Sequence, residues 1–377
     1  MKRSGVIAGI GFAWGVIGLA AGGQGCGGST TNATGGVDAS TVDSGADGGR
    51  EGGSATPEGG PGLPPPKPPG PVTPENGTKN FAIYTLSLGE SDRSGAARAD
   101  AWKTYGYNLD GLVTTKGSVD VCTRAQGASA AVQDDGVDGI DNSFGKNIVP
   151  LLQSFSSTPS TAATSAIQDG TSTDMFDIRG LTDDAQQTNT GLAGRVLVGA
   201  TFRSQGGQPA RPTFTIADDW PYRVAPITQI SDAYIRGGTF VGGGADATVS
   251  VSIGLAGSDF VLKIHRAIIT FDHTAPDALG NGTIAGILST TELEDEFRRV
   301  AGRISVSLCS GGTLDSIVQT VRQARDIMLD GNNRAGVPCD GISVGIGFTA
   351  KRIGDPKTTG SDPAAPDPCL PADAGAD

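Results

Sequence analysis

The chain has 377 residues, with 40 acidic and 28 basic side chains and a formal net charge of −12 at pH 7. This acidic balance argues against a nucleic-acid-binding protein and against adsorption on anionic membranes, because both repel a negatively charged surface. Only 18 % of the residues are charged and 59 are glycine, so the composition predicts a domain rich in turns and short strands.

Residues 1–25 have the layout of an export signal. Lys2 and Arg3 come first, an apolar run interrupted by glycines follows at 6–21, and small residues lead into Cys26. A membrane-spanning helix needs about 20 mostly apolar residues, and glycine lowers helix propensity. The pattern therefore predicts a signal peptide rather than a permanent transmembrane anchor.

The end of this signal, Gly23-Gln24-Gly25-Cys26, resembles the lipobox of bacterial lipoproteins, in which the cysteine becomes the lipid-modified first residue. Gly25 and Cys26 match that motif, whereas its aliphatic residue is absent and Gln24 occupies the second position before the cysteine. The stretch after Cys26 resembles the tethers of myxobacterial-type envelope lipoproteins. The resemblance implies an acylated Cys26 and attachment to a membrane through that lipid, at the outer membrane or cell surface. Ordinary signal cleavage near 20–21, followed by secretion, is the alternative.

The five cysteines are Cys26, Cys122, Cys309, Cys339 and Cys369. Acylation of Cys26 would leave four, enough for two disulfides in an oxidising compartment. Because Cys309 and Cys339 flank a predicted helix and a glycine-containing return, we predict a bond between them. Cys122 would then pair with Cys369 by elimination.

Residues 26–79 are predicted to be a disordered linker. Its first part has almost no apolar side chains and cannot bury enough surface to offset chain entropy. Residues 61–74 are proline-rich and favour an extended polyproline II conformation. At about 3.1 Å per residue, these 14 positions would span about 40 Å as a stiff spacer.

The globular domain is predicted to cover residues 80–353, followed by a flexible tail at 354–377. Alternating apolar residues predict an opening strand at 80–89, a closing strand at 341–350, and six strands between 174 and 272, with a bulge near His265-Arg266. Helices are predicted at 161–168, from a capping box at Thr291, and at 313–329. The predicted fold class is α+β, an antiparallel β-sandwich-like core with two or three flanking helices.

The acidic stretch at 134–145 is the candidate metal site, with calcium as its cofactor. Glycines alternate with carboxylates there, and calcium takes six to eight oxygen ligands. The stretch lacks the acid at position 3 and the glutamate at position 12 of an EF-hand loop. The alternative is turn chemistry leading into a helix at Asn142. The candidate ligands are Asp134, Asp135, Asp138 and Asp141.

Four aromatic side chains are candidates for stacking on sugar rings: Trp102, Tyr105, Trp220 and Tyr222. The alternative is that such rings close the edge of a β core. Ser343 matches the GxSxG pattern of serine hydrolases, but the surrounding alternation places it in a strand, not in the strand–turn–helix that this motif requires. The sequence favours a non-enzymatic structural or binding domain of the cell envelope. The second hypothesis is a carbohydrate-binding module or glycoside hydrolase that acts on a polysaccharide.

Overall fold

The computed structural model describes residues 62–70, 77–204, 207–255, 258–359 and 368–369. The predicted signal, Cys26 and most of the predicted linker and tail lie outside the described residues. All described residues belong to one compact unit, Gly53–Asp377.

The described residues form a single ten-stranded sheet that closes on itself. The strands are β1 Thr78–Ser87, β2 Asp174–Arg179, β3 Asn189–Gly199, β4 Pro221–Arg236, β5 Thr239–Gly243, β6 Thr248–Leu255, β7 Ser258–Ala275, β8 Ala278–Ser289, β9 Gly341–Ile353 and β10 Lys357–Thr359.

Eight of these strands form a closed ring. Each strand from β1 to β5 pairs with the next one in the chain, as does each strand from β7 to β9, and β9 pairs with β1. The β5–β7 pairing completes the ring. Strand β6 pairs with β7 next to β5, and β10 pairs with β4 in parallel.

Phenylalanine side chains fill the space inside the ring. Phe176 stacks on Phe348 with ring centroids 5.2 Å apart, and Phe240 stacks on Phe271 at 4.5 Å. Gly282 lies opposite Phe348, where a Cβ atom would come within 2.5 Å of the ring. A ring of eight strands leaves an interior that side chains can fill, so this space is packed core.

Four α-helices in the described part of the chain lie in the connections at one end of the ring. They are α1 Val149–Gln153, preceded by a π-helical turn at Phe144–Ile148, α2 Pro159–Gln168, α3 Thr290–Ile304 and α4 Gly312–Gln323. Helix α3 buries Leu293, Phe297 and Val300, which recur at helical spacing. Its N-cap is Ser289 rather than the predicted Thr291. The α+β class with an antiparallel β core is confirmed.

The structure differs from the predicted elements in several places. One of the six predicted strands, at 232–241, is divided in the structure by a turn at 237–238 into the end of β4 and the start of β5, and β10 lies in the predicted tail. Residues 211–219 form a turn instead of a strand, because the Asp218 carboxylate accepts hydrogen bonds from the amides of Thr213 (2.7 Å) and Phe214 (2.6 Å). Strand β8 was not predicted, since its glycines conceal the alternation of its apolar residues. Helix α4 ends at Gln323 instead of 329, and Ile327 pairs with Gly341 beyond it.

The predicted disulfide pairing is wrong, although all four cysteines are bonded as expected. The bonds are Cys122–Cys339 and Cys309–Cys369, each with a Cα–Cα distance of 5.1 Å. Thr123 exchanges backbone hydrogen bonds with the segment before Cys339: its amide donates to Val337 O (2.7 Å) and its carbonyl accepts from Cys339 N (3.0 Å). This pairing brings Cys122 next to Cys339. The two cysteines are 217 positions apart in the chain, too far for a local sequence pattern to predict the bond.

Residues 62–70, which the sequence places in the linker, lie against the outside of the sheet near the end of β4. The Asn108 amide donates to Gly62 O (2.8 Å), and Lys67 forms an ion pair with Asp232 (2.7 Å). We call residues 62–70 the proline strap.

Candidate functional site

The four aromatic candidates are core residues. Trp102 is 7 % exposed, Tyr105 and Trp220 are 0 % exposed, and Tyr222 is 8 % exposed. The Trp220 indole donates to Ala200 O (2.9 Å) and packs against two phenylalanines. None of the four offers an open ring face for a sugar, and the structure agrees with their alternative interpretation as residues that close a β core.

The four candidate calcium ligands do not form one site, although Asp135 and Asp141 lie close enough to hydrogen-bond to each other. Within the described ranges, no group of three or more His, Cys, Asp or Glu side chains is placed to hold a metal ion. Asp135 and Asp141 accept hydrogen bonds from the loops around them. Asp134 lies 3.9 Å from the Lys146 ammonium, and Asp138 is exposed to solvent. Asp135 accepts hydrogen bonds from the hydroxyl and amide of Thr114, and Asp141 accepts one from the Leu109 amide (2.6 Å).

Burial makes several of these carboxyls weak acids. The pKa of Asp135 is raised to about 6, chiefly by burial. The pKa of Asp141 is raised well above its usual range by burial, and then by the charges of Asp110, Asp135 and Asp326.

Ser343 belongs to a buried polar network in β9. Its hydroxyl donates to Asp326 Oδ2 and accepts a hydrogen bond from the Ser143 amide (2.8 Å). Asp326 is buried, and its pKa is raised to about 7, chiefly because burial disfavours its charge. The predicted strand position of Ser343 is confirmed, and the side chain is 0 % exposed. This network joins the loop before α1 to the sheet.

The two histidines occupy separate environments. His265 Nε2 lies 2.6 Å from Glu292 Oε2, beside the N-terminus of α3. His273 is 1 % exposed near the end of β7, and its ring nitrogens have no hydrogen-bond partner among the described residues. Burial and then the charge of Lys79 lower the pKa of His273 to about 4, so the ring is neutral at pH 7.

Asp174, at the start of β2, is another buried carboxyl. One oxygen accepts a hydrogen bond from the Ser252 amide (3.1 Å), and the other has no partner within the described part of the chain. Burial is the main cause that raises its pKa to about 8. Because this value lies above the usual 3.8, the stability that the protonated carboxyl provides is complete below about pH 4 and is lost as the pH rises through about 8.

Asp174→Asn is therefore expected to be more stable than the wild type at pH 9, by about 2 kcal/mol or more, because an amide cannot ionise. The difference should shrink towards pH 5. Urea unfolding from pH 5 to pH 9 measures it, with Asp246→Asn on an exposed loop as the matched control. Parallel stability curves for the Asp174 variant and the wild type would contradict the prediction.

The groove between the proline strap and the sheet leaves an open space of about 300 Å³ and differs from these internal networks, because a separate segment of chain forms one of its walls. Asp232 and Tyr234 on β4 face the strap, together with the glycines that end β5. This surface was not predicted from the sequence. The sequence feature that could have indicated it is Lys67, a single charged residue within a proline-rich run that otherwise suits a spacer.

Comparison with known proteins identifies no relative: no protein-family model, curated protein or solved structure matches this chain. Over the residues that the structure describes, none of the helices has the length and apolar character needed to cross a membrane.

Proposed function

We propose that this chain is an exported protein of the cell envelope, anchored through an acylated Cys26, whose domain has a structural or binding role rather than an enzymatic one. The observation that carries the proposal is the disulfide arrangement. The two bonds, Cys122–Cys339 and Cys309–Cys369, use every cysteine after Cys26.

Disulfides persist in oxidising compartments and are rare in the cytosol. Two of them in one domain support export, in agreement with the signal-like segment at 1–25. Since the other four cysteines bond to each other, Cys26 takes part in neither bond. A cysteine at the end of a signal, outside the disulfide set, is the residue that lipoprotein processing modifies.

The carbohydrate-binding hypothesis receives no geometric support at the residues on which it rested. A sugar-stacking ring must present a face to solvent, whereas Trp220 and Tyr105 are fully buried and Trp102 and Tyr222 nearly so.

Cys26→Ala is expected to move the protein from the membrane fraction to the soluble fraction of the cell envelope, because the lipid attachment site is lost. Mass spectrometry of the mature N-terminus measures the modification directly. We expect the wild type to begin at Cys26 with added acyl chains. Ser29→Ala is the matched control and should remain in the membrane fraction. A mature wild-type chain that begins at Gly22 or Gly23 would overturn the proposal.

A further inference from the structure

We propose that the outer face of β4 and β5 is a docking groove for a polyproline segment, and that the chain's own proline strap fills it, so that the tether joins the domain at a fixed place. The intramolecular docking does not depend on the location of the protein. Its consequence for the length of chain between the domain and a lipid at Cys26 rests on the proposed function.

The hydrogen bonds of the strap are the first argument. Proline has no N–H group, so a proline-rich segment forms few internal hydrogen bonds and its carbonyls are free to accept from another surface. Four carbonyls spread along the strap each accept from the domain. The pairs are Asn108 N to Gly62 O (2.8 Å), Tyr234 Oη to Pro65 O, Arg236 Nη1 to Pro66 O (3.1 Å) and Thr190 Oγ1 to Gly70 O (3.2 Å).

The backbone of β4 is shaped for this contact. Between the pairs Gly194–Ile230 and Leu192–Ala233, strand β4 carries one more residue than β3, which is a bulge. Asp232 lies in this bulge with a φ of 57°, a left-handed conformation that non-glycine residues adopt uncommonly. Its carboxylate meets Lys67 Nζ at 2.7 and 2.8 Å. Both side chains are partly exposed, so the ion pair sets the register of the strap more than it contributes stability.

The apolar surface beneath the strap matches the usual recognition of proline-rich segments by aromatic-lined grooves. Pro64 is buried, and Pro64 and Pro66 line the groove together with Tyr234 and Val241. Tyr234 supplies both a ring for packing and a hydroxyl for hydrogen bonding. The segment at 242–244 consists of glycines, which leave the groove open beside the strap.

The docked strap shortens the tether. The sequence predicted a stiff spacer in the proline-rich region, but residues 62–70 lie along the domain. The chain between Cys26 and the strap is then 27–61, or 35 residues, instead of the 53 residues at 27–79.

Zero-length carbodiimide cross-linking of the purified full chain tests the docking, because it joins an amine to a carboxylate only at contact distance. We expect a Lys67–Asp232 cross-link in the peptide map. The exposed ion pair Lys357–Asp219 is the internal control for reagent activity. Absence of the Lys67–Asp232 product in a sample that contains the control product would overturn the proposal.

Three further measurements test whether the cross-link reports docking of the strap within one chain. In an equimolar mixture of ¹⁴N- and ¹⁵N-labelled chains, the cross-linked peptides should carry a single isotope, and mixed pairs would overturn docking within one chain.

The Lys67→Glu/Asp232→Lys double variant should restore a cross-link between the exchanged charges. Tyr234→Phe/Arg236→Ala removes two strap donors and should lower the Lys67–Asp232 yield at least threefold, with Lys357–Asp219 unchanged. An unchanged yield would show that the groove does not hold the strap. These outcomes do not depend on acylation of Cys26.

Discussion

Removing the Cys122–Cys339 disulfide by a double alanine substitution is expected to lower the free energy of unfolding by about 5 kcal/mol, because the bond closes a loop of 217 residues. In the chain-entropy model, the stabilisation arises from the unfolded chain and increases with the logarithm of loop length. Cys122 and Cys339 are nearly fully buried in a small cluster with Met328. Two alanines would fit the same space and leave few atoms unpacked, so the loss mainly reflects the covalent link.

The Cys309–Cys369 bond provides a matched comparison. Its sequence separation is 60, so the same model gives a loss about 1 kcal/mol smaller for the corresponding double alanine variant. Urea unfolding at pH 7 of both double variants and the wild type measures the two losses. Equal losses, or a larger loss for Cys309–Cys369, would contradict the loop-length argument. Non-reducing peptide mapping should first recover the Cys122–Cys339 and Cys309–Cys369 peptides.

Local patterns predicted those parts of the fold that local physics determines. The apolar stripe of α3 recurs every three or four residues, and the alternation in β6 matches a pleated strand buried on one face. In β7 the apolar phase shifts at His265-Arg266, and the structure places a bulge there, with Arg266 at a φ of 53°. A change of phase within one strand is visible in sequence because a bulge reverses the face of every residue that follows.

Closure of the sheet and the disulfide pairing depend on contacts between distant segments. Strand β9 pairs with β1 across more than 250 residues, and the Cys122–Cys339 bond follows from the pairing of Thr123 with Val337. Counting the residues between cysteines favoured Cys309–Cys339 because that approach considers only how far a short chain can reach. The proline strap was missed for the same reason, since its partners Asp232 and Tyr234 lie about 170 residues away.

The candidate sites show how residue type and local chemistry diverge. Asp135 and Asp141 have the composition of a calcium loop, but their oxygens accept hydrogen bonds from Thr114 and Leu109 and leave no shared ligand geometry. Sequence spacing shows which oxygens are close along the chain. It does not show which backbone amides compete for them.

Asn142→Ala is expected to lower the free energy of unfolding by about 3–5 kcal/mol, because its buried side chain forms hydrogen bonds with several backbone groups at once. The amide nitrogen of Asn142 donates to three carbonyls, and its oxygen accepts from two amides. Alanine removes all five hydrogen bonds from a side chain that is 2 % exposed. The backbone groups that lose a hydrogen bond are Trp102 O (3.2 Å), Tyr105 O (3.1 Å), Gly345 O (3.1 Å), Gly145 N (2.9 Å) and Gly345 N (3.0 Å).

Asn147→Ala is the matched control, because Asn147 is a half-buried asparagine with one side-chain hydrogen bond, to Ser143 Oγ at 2.8 Å. Its expected loss is about 1 kcal/mol. Asn142 joins the loop that contains Trp102 to β9, so its loss should also increase amide hydrogen exchange at Gly145 and Gly345, whose N–H groups bond to Asn142 Oδ1. A loss for Asn142→Ala no larger than that of the control would show that other groups or water satisfy the backbone there. In that case, the loop and the sheet would be joined mainly by the Ser343–Asp326 and Ser143 contacts.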